Sequence, residues 1–388
     1  MRTVIRDVRV FDGQRTVERA DVFVDGDRIV EPDGRPVDLR IDGAGRTLLP
    51  GLIDAHTHTF DGSLAQALAA GVTTELDMFC LPDNLARQRR LAADRDDVAD
   101  LRSCGLLATA PGGHPSQLMT GLDPQALAAL GDAAGPFPTV ARVADAAPFV
   151  AARVAEGADY IKIVVDDGAM HGENLPVLSP DVVSALVEAA HAAGLTAIAH
   201  AITTREVTIA LDAGVDGLAH VYADAGSDDP TGWRLAERIA GDGVFVVTTL
   251  AYFDAISQGA ALDHAAAGSA ANAVHAAGVL HRAGVTLLAG TDATPFAPQH
   301  GTAMHHELAL LVKAGLTNAE ALAAATSVPA RHFGLTDRGR VAPGLRADLL
   351  LVDGDPTTDI TAVGAVVDVW RRGVRQNRQP AAAGFPEK

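Results

Sequence analysis

Histidine and aspartate side chains occur where short apolar runs of the sequence end. The runs GLIDAHTH, LTAIAH, VDGLAH and VTLLAGTD carry at or next to their ends His56, His58, His200, His220 and Asp292. Residues i and i+2 of a strand point to the same face, so His56 and His58 can project into one space. Imidazole and carboxylate together are the ligands that borderline divalent metals prefer. The placement therefore predicts a metal site.

A lysine inside a further apolar run, ADYIKIVVDD, extends this set. Lys162 is one of only three lysines, and the other 28 of the 31 basic residues are arginines. Burial favours the neutral amine, which can add CO2 and become a bidentate, anionic carbamate, whereas arginine stays charged. A buried stem with an ammonium group that reaches solvent is the alternative. We predict that Lys162 is carboxylated and is the sixth metal ligand.

The elements that must position these residues follow a repeating order. Between residues 49 and 337, eight short runs rich in Val, Ile and Leu alternate with Ala-rich helical stretches. Such alternation indicates βαβ units and a parallel sheet. Eight parallel strands close into a (β/α)8 TIM barrel, with the active site at the carboxyl ends of the strands. A doubly wound sheet is the alternative, but no GxGxxG motif follows an early strand.

The residue pattern at both ends of the chain is different. VRVFDG, DVFVDGDRIVE and GRVAPGLRADLLLVDGDP alternate apolar and polar residues and read as strands. We predict that residues 1–48 and 338–388 form one small composite β-sandwich domain and that residues 49–337 form the α/β barrel. A helix is expected in TSVPARHFGL, with Thr326 or Ser327 as its N-cap and Pro329 in its first turn.

Composition limits the classes of function. A net charge of -18 and a pI near 5.1 argue against nucleic-acid binding, which needs a basic face. Neither a secretory h-region nor a run of roughly 20 apolar residues is found. We therefore expect a cytoplasmic enzyme that acts on a small molecule, with no nucleic-acid or membrane partner. A homo-oligomer remains open.

Taken together, the motifs resemble the amidohydrolase superfamily over most of the chain. The similarity lies in GLIDAHTH, GADYIKI, HAITTREVTIALDAGVDGLAH, AGTDA and ATSVPARHFGL…GRVAPGLRADLLLVDGDP. GADYIKI and ALDAGVDGLAH are most similar to the prolidase-like and imidazolonepropionase-related branch, which includes Xaa-Pro dipeptidases and ochratoxinase. The resemblance implies a barrel with a composite β-sandwich domain, and it implies a metal-dependent hydrolase of carbon–nitrogen bonds.

The resemblance also assigns ligands to two divalent cations. It implies His56, His58 and Asp292 for one cation, His200 and His220 for the other, and carboxylated Lys162 between them. Zinc is the default metal, and manganese, cobalt or nickel would also fit these ligands. The expected reaction is attack of a metal-bridging hydroxide on an amide carbonyl, with Asp292 as general acid and base. An N-acyl amino acid or a dipeptide is the expected substrate.

Other residues are candidates for contacts with the substrate. His114 and Tyr222 follow the third and sixth predicted strands and could bind a substrate carbonyl or a terminal carboxylate, although a water-facing His114 fits equally well. Residues 111–148 are expected to cover the site. Five apolar residues in predicted loops indicate an apolar substrate group or core packing, namely Phe79, Met119, Met170, Phe253 and Phe296.

Three other functions stay open. A cyclic amidase of the hydantoinase or imidazolonepropionase type would use the same ligands. A mononuclear deaminase is disfavoured, since no acidic residue follows His200 within four positions. A non-catalytic interaction protein is the third, and the complete ligand set argues against it.

Overall fold

A computed structural model of the protein describes residues 1–121, 130–259 and 269–376. The strands are β1 (Arg2–Phe11), β2 (Thr16–Asp25), β3 (Arg28–Val30), β4 (Leu39–Asp42), β5 (Arg46–Pro50), β6 (Leu52–Thr57), β7 (Val72–Asp77), β8 (Asp100–Ser103), β9 (Ile161–Val164), β10 (Ala197–His200), β11 (Gly217–Leu218), β12 (Phe245–Val247), β13 (Leu287–Leu288), β14 (Leu349–Asp353), β15 (Val366–Arg371) and β16 (Val374–Arg375). The α-helices are α1 (Ser63–Ala69), α2 (Pro82–Asp94), α3 (Ser116–Gly121), α4 (Val143–Ala155), α5 (Pro180–Ala192), α6 (Thr204–Asp212), α7 (Pro230–Asp242), α8 (Leu250–Ser257), α9 (Ser269–Arg282), α10 (Thr302–Ala314), α11 (Asn318–Ala324) and α12 (Ser327–His332).

Within these residues, eight parallel strands form a barrel from two arcs. Strands β6 to β8 pair in order, and so do β9 to β13. Two isolated parallel bridges join the arcs, one between Ala108 and Ile163 and one between Thr57 and Ala293. The ring of strands is therefore closed, and the predicted α/β barrel fold is confirmed.

Burial explains why these short segments are strands. All four residues of β9 and all four of β10 are buried, as expected for parallel strands covered by helices on one side and by the barrel interior on the other. Helix α5 buries Val182, Val183, Leu186, Val187 and Ala190, which recur at helical spacing on one face. Its apolar stripe packs on β9 and β10.

The two chain ends share one sheet, with the order β16-β15-β14-β5-β1-β2-β3 and with β4 paired to β1. The hairpin between β2 and β3 turns at Gly26, whose φ of 60° suits glycine. Strand β5 pairs with β14 in antiparallel register, with Leu49 opposite Leu350. The separate strand-rich sheet was predicted, and the boundaries 1–48, 49–337 and 338–388 remain a prediction.

A buried carboxylate ties the barrel to the C-terminal segment. Asp100, the first residue of β8, forms ion pairs with Arg346 at 3.1 Å and with Arg371 at 3.3 Å, and it also pairs with Arg338. All three arginine side chains are less than 10% exposed. Burial by itself raises the pKa of the Asp100 carboxyl, but the three guanidinium groups outweigh it and hold that pKa below its usual range.

The helix predicted in TSVPARHFGL is present. Helix α12 begins at Ser327 with Thr326 as its N-cap, as predicted. Among the described residues, we find no helix with the length and apolar character that crossing a bilayer requires.

Candidate metal centre

The carboxyl ends of the barrel strands surround one cavity. His56 lies in β6, His200 ends β10, and His220 follows β11 by two residues. All six predicted ligands line this cavity, together with His114: His56, His58, Lys162, His200, His220 and Asp292. The structure thus brings together side chains that lie up to 236 positions apart in the sequence (292 − 56).

Three of these side chains converge closely. His58 Nε2 lies 2.8 Å from Asp292 Oδ1, and His56 Nε2 lies 3.3 Å from the same oxygen. Their ligand atoms all lie within 4.8 Å of one another. The His220 ring lies 4.8 Å from the His56 ring and 4.4 Å from the His200 ring, measured between centroids. The site therefore has a His–His–Asp side and a His–His side.

Hydrogen bonds behind the site fix the tautomers of two imidazoles and orient a third. His56 Nδ1 lies 3.0 Å from the carbonyl oxygen of Ala219, which can only accept, so Nδ1 carries the proton and Nε2 carries the lone pair. His200 Nε2 lies 3.1 Å from Asp166 Oδ2, which leaves Nδ1 as its electron-pair donor. His220 Nδ1 contacts the Thr249 hydroxyl at 2.8 Å. Such partners hold a metal-binding imidazole in orientation.

Lys162 lines the same cavity as a buried amine. Its Nζ forms no hydrogen bond to any residue that the structure describes. Burial lowers the pKa of the Lys162 ammonium to about 8, against the opposing attraction of Asp292. A buried cation without a hydrogen-bond partner is costly, so chemistry that removes its charge would relieve this cost.

Asp292 has a backbone conformation that places its carboxylate at the site. Its φ is 56°, a left-handed conformation that aspartate tolerates better than most residues. Its N–H donates to the carbonyl of His56 at 2.8 Å. A Cβ at Gly290 would lie 2.9 Å from His56 N, so only glycine allows this close approach of the two strands. Burial by itself raises the pKa of Asp292, but His56 and His58 hold it below its usual range.

Asp166 is a site residue that the sequence did not reveal. Its buried carboxylate contacts three imidazoles, since Oδ2 lies 3.1 Å from His200 Nε2, 3.4 Å from His171 Nε2 and 3.8 Å from His114 Nδ1. The only sequence signal was its position at the end of the strand that carries Lys162. Asp166 therefore supports His200 from outside the cavity.

Comparison with known proteins identifies the family of the chain. A family model described as "Amidohydrolase family" matches residues 47–375. The chain belongs to the amidohydrolase family. As a member it is a metal-dependent hydrolytic enzyme that acts on carbon–nitrogen bonds of small molecules.

Individual similarities point to the predicted branch of the family. A 72-residue segment of this amidohydrolase is 47% identical to an imidazolonepropionase of Deinococcus deserti, but it spans only 18% of either chain. A solved Xaa-Pro dipeptidase with bound methionine has a TM-score of 0.80 and 20% identity, with 97% of this chain and 100% of that chain covered. A prolidase complexed with N-methylphosphonate-L-proline has a TM-score of 0.77 and 26% identity, with coverages of 98% and 100%. The predicted resemblance is confirmed.

The two predicted substrate contacts of this amidohydrolase differ in position. His114 lines the cavity, where its ring stacks on His200 at 5.0 Å and Gln117 Nε2 lies 3.0 Å from its Nδ1. Tyr222 is not brought to this cavity, because its ring is buried and its hydroxyl donates to the carbonyl of Gly232 in α7 at 2.8 Å. The prediction that Tyr222 contacts the substrate in this cavity is therefore wrong.

The predicted apolar residues of the amidohydrolase also separate into two groups. Phe79 and Phe296 line the cavity. Phe253 lies fully buried within α8, and the neighbouring Tyr252 lines the cavity instead. Met170 is buried without lining the cavity, and the side chain of Met119 lies outside the described residues. The predicted cover at 111–148 contributes His114, Pro115, Leu118, Leu130 and Ala133 to the lining, and residues 122–129 lie outside the description.

The first acidic residue after His200 accepts hydrogen bonds from backbone N–H groups. Glu206 accepts hydrogen bonds from the N–H groups of Ile202 at 3.0 Å, Thr203 at 2.9 Å and Asp167 at 3.0 Å. Its carboxylate is thus committed to the N-terminus of α6, and the deaminase alternative gains no support from it. Arg205 pairs with Asp167 at 2.8 Å and is 67% exposed, as expected for an arginine at the start of a helix.

Proposed function

We propose that this amidohydrolase binds two divalent cations and hydrolyses an amide bond of a small molecule. The observation that carries the proposal is the convergence of electron-pair donors on one cavity. His56 Nε2 and Asp292 Oδ1 both present lone pairs and lie only 3.3 Å apart. Two acceptors converge in this way when a cation is to lie between them.

The donor set divides between two cations. His56, His58 and Asp292 would hold one, and His200 and His220 would hold the other. Zinc is the default for imidazole with carboxylate, and manganese, cobalt or nickel would fit as well. The resting position of Lys162, buried beside both groups and without a hydrogen-bond partner among the described residues, suits a carbamate between them. Carboxylation replaces a buried cation by an anion with two ligand oxygens.

The chain's own residues supply the remaining chemistry. When bound, two adjacent divalent cations lower the pKa of a shared water towards roughly 7 and polarise a carbonyl oxygen. In this proposal Asp292 takes the proton of the attacking water and delivers it to the leaving nitrogen. Since the Gln117 amide donates to His114 Nδ1, the neutral His114 ring carries its proton on Nε2 and can donate it to the substrate carbonyl.

The first test combines metal analysis with a substrate screen. Elemental analysis of fully active protein is expected to give two ions per chain, and mass spectrometry is expected to identify the acid and amine products. The panel contains N-acyl amino acids, dipeptides, uncharged amides and cyclic amides. One ion per fully active chain would favour the mononuclear alternative instead.

The second test removes the proton carrier. Asp292→Asn keeps the size of the side chain but cannot accept the proton, so kcat is expected to fall about 10²- to 10⁴-fold while the thermal midpoint changes little. Asp212→Asn, which alters an exposed aspartate paired with Arg238, serves as the control. Near-normal turnover in Asp292→Asn would contradict the assigned role.

A further inference from the structure

The walls of the cavity are largely apolar beyond the ligands. Side chains from loops, from α3 and from β9 contribute to them: Phe60, Phe79, Leu107, Leu118, Val164 and Phe296. Phe79 is held from behind by Phe137, with ring centroids 4.9 Å apart, and so presents a fixed aromatic face. Pockets of this kind bind apolar groups and use few polar atoms to orient them.

Positive charge for a substrate carboxylate is missing from these walls. Among the described residues that line the cavity there is no arginine, and the single lysine is Lys162. In the proposed function Lys162 is a carbamate and carries negative charge. The two internal segments outside the description, 122–129 and 260–268, contain neither arginine nor lysine, and their acidic residues are Asp123 and Asp263.

The polar end of the cavity is also unsuited to an anion. His114 faces the cavity there, and the carboxylate of Asp166 lies only 3.8 Å from its Nδ1. A substrate carboxylate bound at His114 would approach this second carboxylate through one imidazole ring. Arg205 offers no compensation, because it already pairs with Asp167 at 2.8 Å.

We infer that the substrate is an uncharged amide that carries an apolar, aromatic or branched group and has no carboxylate. This inference rests on the proposed function and narrows it, since N-acyl amino acids and free dipeptides carry the anion that the cavity does not match. Water adds to the amide carbonyl, the C–N bond breaks, and the amine leaves with the proton from Asp292. The two proposed cations are engaged by the reacting amide, so a carboxylate held by these walls would be buried without a cationic partner, which weakens binding strongly.

Matched substrate pairs test the inference on the metal-loaded protein. N-acetylphenethylamine is compared with N-acetyl-L-phenylalanine, and N-methyl-phenylacetamide with phenylacetylglycine. N-acetyl-L-phenylalaninamide controls for size without charge. We expect kcat/KM for the uncharged members to exceed that for the acids at least about 100-fold.

The outcomes distinguish a failure of the inferred specificity from a failure of the proposed function. Equal or faster hydrolysis of the acids would overturn the inferred specificity and leave the proposed function intact. Hydrolysis of none of these amides, by protein that contains two ions per chain, would count against the proposed function itself.

A charge introduced into the wall gives an independent readout. Leu118 lines the cavity and is only partly buried, so an arginine can enter there from the side. Leu118→Arg is expected to raise the acid-to-amide ratio of kcat/KM about tenfold or more, whereas Leu118→Gln, of similar length but uncharged, leaves the ratio near its original value. An unchanged ratio in Leu118→Arg would contradict a preference set by the missing cation.

Discussion

At the scale of single residues, each buried imidazole of the site is held on the side that faces away from the cavity. Ala219 holds His56, Thr249 holds His220 and Asp166 holds His200. The first two partners are a backbone carbonyl and a hydroxyl, whereas Asp166 is a carboxylate. A carboxylate raises the basicity of the imidazole it binds, so Asp166 should matter most for the affinity of the metal.

Asp166→Asn is therefore expected to weaken cation binding. The amide can still accept from His200 Nε2, but the negative charge that strengthens the ligand is lost, and the Kd of the metal should rise about 10- to 100-fold. Competition with a chromophoric chelator measures this Kd without any substrate. Asp167→Asn is the matched control, since the adjacent aspartate pairs with Arg205 outside the cavity. Equal Kd values for the two variants would remove Asp166 from this role.

The site residues that could be predicted are those whose positions follow from the periodicity of a strand. His56 lies in β6, His58 directly follows that strand, and Lys162 lies in β9, so their shared cavity follows from the strand ends. Tyr222 was misassigned because β11 ends at Leu218, four residues earlier, and its position after a strand end does not decide where its side chain lies. Asp166 and Thr249 were missed because loop geometry decides their contacts.

At the scale of elements, the barrel strands are shorter than the apolar runs that predict them. The run VDGLAHV yields only Gly217–Leu218, and GVTLLAGTD yields only Leu287–Leu288. An apolar run indicates buried residues, and in this barrel the buried residues continue from the strands into loops that turn towards the cavity. The order and the type of the elements were therefore predictable, whereas their lengths depend on backbone pairing.

A buried carboxylate joins three of these elements. Glu307 of α10 accepts from the N–H of Ala251 at 2.7 Å, in the first turn of α8, and from the hydroxyl of Thr248 just after β12. Burial raises the pKa of Glu307 from 4.5 to about 7. The folded chain thus holds this proton more tightly than the unfolded chain does.

The resulting pH dependence has a definite sign. The stabilisation that comes from the tightly held proton of Glu307 is fully present below pH 4.5 and is lost as the pH rises through about 7. The free energy of unfolding should therefore fall with increasing pH. The loss amounts to about 3 kcal/mol. Urea unfolding at pH 5 and pH 8 measures it, and Glu307→Gln should lack this part of the dependence. Glu188→Gln, at an exposed position of α5, should retain it; the same slope in both variants would refute the assignment.

At the scale of the whole molecule, the C-terminal segment is anchored to the barrel by the Asp100 ion cluster. One carboxylate faces three buried guanidinium groups. Removing its charge takes away the acidic partner of Arg371 and weakens the cluster, although Arg338 also pairs with Asp337 and Arg346 with Asp348. Such a loss among buried charges costs more than breaking a pair in solvent.

Asp100→Asn is expected to lower the free energy of unfolding by about 3 kcal/mol. Chemical denaturation at neutral pH measures the change. The control is Asp97→Asn, which breaks a solvent-exposed pair with Arg95 at 2.6 Å and should cost less than about 1 kcal/mol. A loss in Asp100→Asn no larger than in the control would mean that the cluster contributes nothing to the attachment.

The two arcs of the barrel meet at two joints, the isolated bridges described above, and both joints lie next to site residues. His58 N donates to the carbonyl of Ala293 across one joint, and Ala108 N donates to the carbonyl of Lys162 across the other. Asp292 and Lys162 are thus brought into place by the same contacts that complete the ring. Closing the barrel and assembling the active site are consequently one event, so a chain that has not joined its first strand to its last cannot already possess the chemistry.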